Sequence, residues 1–224
     1  MNFKKESSDS EVSIGINEFK KRSDIHWARK IWHISGVLLI FILFKLLPLT
    51  FSKYLIVLAA VLFVSIDIIR KKNENINAFF VQCFKPIMRQ HEIDKIAGTT
   101  YLFIGVSILI LFFKPMVISL ALLFLAVADP FASYFGIRYG KDKIYGHKTV
   151  QGFLAAFVIC TAITIAFLIV NDFAWDRVIL LGVLSGLLGA LAELIPVAKL
   201  DDNLTIPVAC GLGLTALFYL FGVL

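Results

Sequence analysis

The stretch PMVISLALLFLAVADPFASYFGIRYGKDKIYGHKTVQGFLAAFVIC, Pro115–Cys160, decides how the chain is read. It opens on an uncharged apolar run that ends at Asp129. It then crosses a connector carrying Arg138, Lys141, Asp142, Lys143 and Lys148 among Gly136, Gly140, Gly146 and Gly152, and returns to an uncharged apolar run. Apolar flanks of this length read as helices that cross a bilayer, and the connector as a polar segment at its surface.

The same alternation extends over the whole chain. Of its 224 residues 59% are hydrophobic, 21 of them Phe, and the mean hydropathy is +0.85, well beyond a soluble domain of average composition. A hydrocarbon core of about 30 Å needs about 20 apolar helical residues per crossing. Seven windows qualify, roughly 33–50, 54–69, 97–113, 115–133, 152–170, 177–197 and 204–223. The fold class expected is all-α, a polytopic membrane helical bundle of about seven transmembrane helices. A tail over 1–30 precedes a transmembrane domain over 31–224, with an interfacial helix near 75–90 and polar loops over 134–151 and 198–203. In the segment NINAFFVQCFKPIM, Ile76, Phe79, Phe80, Cys83, Phe84, Ile87 and Met88 recur at helical spacing, which suits a helix lying in the membrane interface or packed on the bundle.

Cys83, Cys160 and Cys210 lie far apart without CxxC spacing, so neither a disulfide framework nor a zinc site is indicated. The mixed-charge stretch before the first apolar run is not a cleavable signal and reads as a cytosolic tail. Of the 22 Lys and Arg residues, eighteen fall on the tail side of the bundle. Lys45, Lys53, Lys114 and Arg177 fall on the other. That bias puts the N-terminus in the cytosol and, with seven crossings, the C-terminus outside. The net charge of +6 follows from this topology and from anionic headgroups, without nucleic acid.

With that orientation three polar clusters meet one face: RKIWHISG at Arg29–Gly36, the connector, and AELIPVAKLDDNLTIP with Glu193, Asp201, Asp202 and Asn203. Asp129 before Pro130 is either a helix start or a carboxylate held near the membrane for chemistry. Glu193 shares a face with Gly186 and Gly189; close helix packing explains the glycines and leaves the acid unaccounted for. Asp201, Asp202 and Asn203 either cap the last helix or supply hard oxygen donors suited to Mg²⁺. The run Gly136–Lys141 is no P-loop, having three residues between its glycines and Asp142 after Lys141. Its glycines still let backbone approach an anion, and Arg138, Lys141, Lys143 and Lys148 bring positive charge. His33 lies one turn after Arg29 and Lys30, and His147 beside Lys148, whereas His91 reads as surface.

These motifs together, ADPFASYFGIRYGKDKIYGHKTVQG, LDDNLTIP, RKIWHISG and Glu193, resemble those of the membrane family that includes dolichol kinase, phytol kinase and the CTP-dependent diacylglycerol kinases. The chain is similar, more distantly, to phosphatidate cytidylyltransferase. The resemblance covers roughly residues 29–213. It implies a lipid-alcohol kinase that moves the terminal phosphate of a nucleotide, typically CTP, onto an alcohol such as diacylglycerol or a polyprenol, with Mg²⁺. The catalytic residues expected are Asp129, Lys148 and Asp202. Nucleotide binding is expected from Arg29, Lys30, Gly136, Arg138, Gly140, Lys141, Lys148, Thr149 and Gly152, and metal binding from Asp129, Glu193, Asp201, Asp202 and Asn203. The partners expected are a nucleotide and a lipid alcohol. The location expected is the inner membrane of a bacterium or an endoplasmic-reticulum-like membrane of a eukaryote. Two positions depart from the pattern: Ala128 precedes Asp129 where relatives often carry Gly, and Gln151 stands where they often carry Glu. A cytidylyltransferase making CDP-diacylglycerol and a small transporter using Glu193 are the rival readings.

Overall fold

The computed structural model describes residues 26–195 and 200–224, and of His91 the backbone alone. The tail charges Lys4, Lys5, Lys20, Lys21 and Arg22, and Lys199 in the last polar loop, lie outside the described residues. The chain forms α1 (Trp27–Leu46), α2 (Leu49–Lys72), α3 (Glu74–Phe84) and α4 (Gly98–Phe112). After these come α5 (Pro115–Leu123), a π-turn (Phe124–Ala128), α6 (Asp129–Tyr139), the hairpin β1 (Lys143–Tyr145) and β2 (Lys148–Thr149), α7 (Val150–Val170), α8 (Val178–Leu194) and α9 (Asp202–Leu220). Among the described residues the small antiparallel hairpin is the only sheet in an all-α membrane bundle.

Among the described residues six helices are long and apolar enough to cross a membrane by length and composition, and a seventh apolar helix is shorter. The window 97–113 forms the 15-residue α4, about 22 Å of helix at 1.5 Å per residue, short of a hydrocarbon core of about 30 Å. Its missing turn is replaced by loop 85–97, folded into the bundle. Arg70 of α2, fully buried, organises that loop by donating to the side chains of Asp67 and Asn77 and to the carbonyls of Glu92, Ile93 and Lys95. Three of the five bonds go to loop carbonyls, giving buried backbone oxygens the donors they need. The expected interfacial helix ends at Phe84, two residues before Pro86, which has no N–H to continue the helical hydrogen bonds.

The window 115–133 is longer than expected. The helical path runs over Pro115–Tyr139, so Asp129 is neither a helix start nor a helix end. Pro130 has no N–H and crowds the preceding turn. The backbone widens there into the π-turn, in which the Asp129 N–H donates to the Phe124 carbonyl. In this i→i+5 register the Leu125 carbonyl faces Pro130 and has no backbone donor. His33 of α1 fills that vacancy, its Nε2 lying 2.9 Å from the Leu125 oxygen, and Lys30 donates to the Pro130 carbonyl at 3.0 Å. A proline inside a membrane helix thereby recruits two polar side chains from another helix.

α5, the π-turn and α9 occupy the centre, with Val117, Leu120, Leu125, Leu214 and Phe218 fully enclosed. α7 and α8 form the tightest pair. A Cβ on Gly189 would lie 2.6 Å from Cys160 Sγ, and one on Gly186 would strike Thr161 Oγ1, so glycine lets the two backbones approach. Pro207 inside α9 likewise frees the Asn203 carbonyl, and Gly105 of α4 packs there, where a Cβ would come within 2.8 Å of that oxygen.

Candidate functional site

The site is built where α1, α7 and α9 begin and α8 ends. α6 passes beside them. A polar cavity of about 280 Å³ lies among these ends, lined by Lys30, His33, Asp129, Lys148, Glu193 and Asp202 together with Arg29, Arg89, Ser133, Thr149, Asp201 and Asn203.

Lys148 is its centre. The β1–β2 hairpin turns at Gly146, whose φ of +54° suits glycine at the first position of a tight hairpin turn, and this sends Lys148 inward. Its Nζ lies 2.5 Å from Glu193 Oε1 and 3.2 Å from Asp202 Oδ2. Burial opposes the ammonium charge, but the carboxylates of Glu193, Asp202 and Asp129 outweigh burial and hold the pKa above the ordinary lysine value. Thr149 beside it caps α7, its Oγ1 accepting from the Gly152 N–H at 3.2 Å.

Asp129 lies across the cavity, its Oδ2 3.7 Å from His33 Nε2, and Lys30 reaches Ser133 Oγ at 3.0 Å. Asp201 and Asp202 divide the roles that a pair of adjacent acids can take. Asp201 is the N-cap of α9, accepting from the Asn203 N–H at 3.0 Å, and burial pushes its carboxyl up against that bond. Asp202 faces Lys148. Asn203 donates through Nδ2 to the Gly98 carbonyl at 3.1 Å and so ties α9 to the start of α4.

Several expected residues stand elsewhere. Arg138, Gly140 and Lys141 do not line the cavity: α6 continues to Tyr139, leaving Arg138 exposed against the Tyr139 ring. Gly136 and Gly152 line it, but their close approach also lets α6 and α7 cross, since a Cβ on Gly152 would come within 2.9 Å of the Ala132 carbonyl. Gln151 accepts from the Lys141 N–H at 3.2 Å, a role a glutamate would fill equally, and it lies off the cavity lining.

Arg29 lines the cavity with its guanidinium engaged. Nη1 and Nη2 donate to Glu92 at 2.7 and 2.9 Å, and Nη1 also donates to the Ile87 carbonyl at 3.0 Å. Burial alone would raise the Glu92 pKa, yet the hydrogen bonds and charge of Arg29 bring it below the ordinary value. Nothing in the QHEID segment announces Glu92 as a buried partner, because the pairing spans 63 residues.

The acids do not converge as a metal cage. Among the described residues no group of three or more His, Cys, Asp or Glu side chains is set to hold an ion, and an ammonium sits between Glu193 and Asp202. The donors are hard oxygens suited to Mg²⁺.

No family model matches the chain, and no solved structure matches it. Curated relatives do. The chain is 32% identical over 157 residues to CTP-dependent diacylglycerol kinase 1 of Schizosaccharomyces pombe, covering 63% of this chain and 70% of that protein. It is 25% identical to the Saccharomyces cerevisiae protein of the same name, over 96% of this chain and 84% of the relative. To the Eremothecium gossypii protein of that name it is 29% identical, over 64% and 51% respectively.

Proposed function

The chain belongs to the CTP-dependent diacylglycerol kinase family, and we propose that it transfers the terminal phosphate of CTP to the hydroxyl of a membrane-embedded lipid alcohol, diacylglycerol foremost. The observation that carries this reading is Lys148, a half-buried ammonium held by Glu193 and Asp202 in a polar cavity at one end of a membrane bundle. Phosphoryl transfer asks chiefly for positioning and for positive charge against the phosphate oxygens. In this proposal Lys148 and Lys30 meet those oxygens, and Lys148 exchanges part of its carboxylate pairing for the nucleotide. Asp129 accepts the proton of the acceptor hydroxyl. The hydroxyl oxygen of the lipid then forms a bond to the terminal phosphorus as the bond to CDP breaks, leaving a phosphorylated lipid and CDP.

Mg²⁺ usually keeps several waters and is held by one or two carboxylates plus the substrate phosphates, so here it would be brought in with CTP. Asp129 and Asp202 are the residues proposed to meet it, and the ion supplies charge neutralisation there. The polar end of the bundle is proposed to face the cytosol, where soluble nucleotide is present.

The test uses purified protein in lipid nanodiscs with diacylglycerol, a polyprenol, phytol or phosphatidate, and CTP labelled at either the α or the γ phosphate. Label from the γ position in the lipid product, absent with α-labelled CTP, is the expected result. Label from the α position with release of pyrophosphate would instead identify a cytidylyltransferase. Nucleotide-independent flux in liposomes with no labelled lipid would identify a transporter.

A further inference from the structure

Beside the polar cavity lies a second one, of about 590 Å³, which shares Arg29, His33 and Asn203 with it. Its other walls are almost wholly apolar, with Leu39 and Leu43 of α1, Leu55 and Phe63 of α2, Phe80 of α3 and Phe103 of α4. The volume falls in the range of about 300–1,000 Å³ of sites that hold small molecules. Its origin is topological. α1 packs on α5 and the π-turn while α2 packs on α4, so the two helices, joined at Leu47–Pro48, touch only sparsely. α3 closes the end nearest the polar cavity.

Three observations identify the occupant. The first is shape: the lining runs along α1 from Arg29 to Leu43, about 21 Å of helix. That compares with about 15 Å for one leaflet of a 30 Å hydrocarbon core. The second is Gly36, in mid-helix on this wall, where a Cβ would meet nothing within 4 Å. Glycine there costs about 1 kcal/mol of helix propensity relative to alanine, and no protein neighbour requires it. The third is the charge at the shared end. Arg29 is neutralised by Glu92, His33 is engaged by the Leu125 carbonyl, and the Asn203 amide by Gly98. The neck offers hydrogen-bonding groups but no uncompensated cation for an anionic headgroup.

We propose that this cavity holds the hydrocarbon chain of the acceptor, a neutral lipid with a small hydroxyl head that enters sideways from the bilayer between α1 and α2. The neck at Arg29, His33 and Asn203 passes its hydroxyl toward Asp129. The delivery step rests on the kinase reading; the lipid site does not.

The full chain in nanodiscs is irradiated with a diacylglycerol carrying a diazirine on one acyl chain, and labelled residues are mapped by mass spectrometry. Labelling is expected on α1 and α2 walls, competed by unlabelled diacylglycerol and not by phosphatidate. Gly36→Phe is expected to cut that labelling about tenfold and to raise the KM for diacylglycerol alike, with the KM for CTP unchanged. Leu55→Trp, filling the cavity from the opposite wall, is expected to do the same and serves if Gly36→Phe fails to fold. Labelling spread over the whole lipid-facing surface, or unaltered by both substitutions, overturns the cavity assignment while leaving phosphate transfer in place. Equal competition by phosphatidate overturns the neutral-head assignment. Saturable, blockable labelling in a protein that transfers no phosphate supports the lipid site and overturns the kinase reading alone.

Discussion

Lys148 and the adjacent acids Asp201 and Asp202 separate structural from chemical roles at the level of single residues. Lys148→Met removes the charge proposed to meet phosphate, and turnover is expected to fall about 100- to 1,000-fold, as when a preorganised transition-state donor is lost. The check is a CTP titration on protein that remains monodisperse. Asp201 acts as an N-cap, and asparagine caps about as well as aspartate. Asp201→Asn is therefore expected to leave both thermal stability and turnover nearly unchanged, whereas Asp202→Asn, which strips a charge facing Lys148, is expected to lose most turnover. Equal effects of the two in a parallel assay would contradict this division. Glu92→Gln tests the buried pair with Arg29, at a cost of about 3 kcal/mol near neutral pH. The folded carboxylate has a depressed pKa, so its contribution is present above the ordinary glutamate value of 4.5 and is lost as pH falls through the folded value. Melting curves of wild type and variant are thus expected to converge on acidification below about pH 4.5.

Among the elements, the α7–α8 pair and the π-turn show backbone chemistry setting geometry. Gly186→Ala pushes a Cβ into Thr161 Oγ1 and within 2.9 Å of the Phe157 carbonyl, and is expected to destabilise the bundle by about 1–3 kcal/mol. Thr161 Oγ1 is buried with no hydrogen-bond partner among the described residues, so Thr161→Ala is expected to be mild and to recover part of that loss in the double variant. Additive losses in a denaturation cycle would show that the two groups do not meet. The π-turn follows from Pro130, and its polar partners Lys30 and His33 lie 100 and 92 residues away from the carbonyls they satisfy. Periodicity along one helix does not predict such a pairing.

At the scale of the whole molecule, six long apolar helices and the shorter α4 bring the starts of α1, α7 and α9 to one end, with Trp27, Tyr134 and Tyr139 around it and Trp175 and Tyr219 at the other. The bias of basic residues toward the site end predicts that it faces the cytosol. A reporter active only outside the cytosol is expected to work when fused after Leu224 and to fail when inserted beside Lys143. The reverse pattern would place the cavity away from soluble nucleotide.

The sequence by itself determined that the chain is a membrane bundle and where most of its helices run, because the length and hydrophobicity of a segment are local properties that the bilayer reads directly. It also showed the polar segments between them and the acids Asp129, Glu193 and Asp202. Only the tertiary structure decided which charges face one another. Lys148 turns inward to Glu193 and Asp202 while Arg138 and Lys141, in the same connector, stay outside, since the helix continues through Asp129 and a hairpin reverses the chain. Glu92, the shortness of α4 and the apolar cavity between α1 and α2 were likewise beyond local reading. Each arises from how helices distant in sequence pack, and from buried backbone and charge that must find partners wherever the fold brings them.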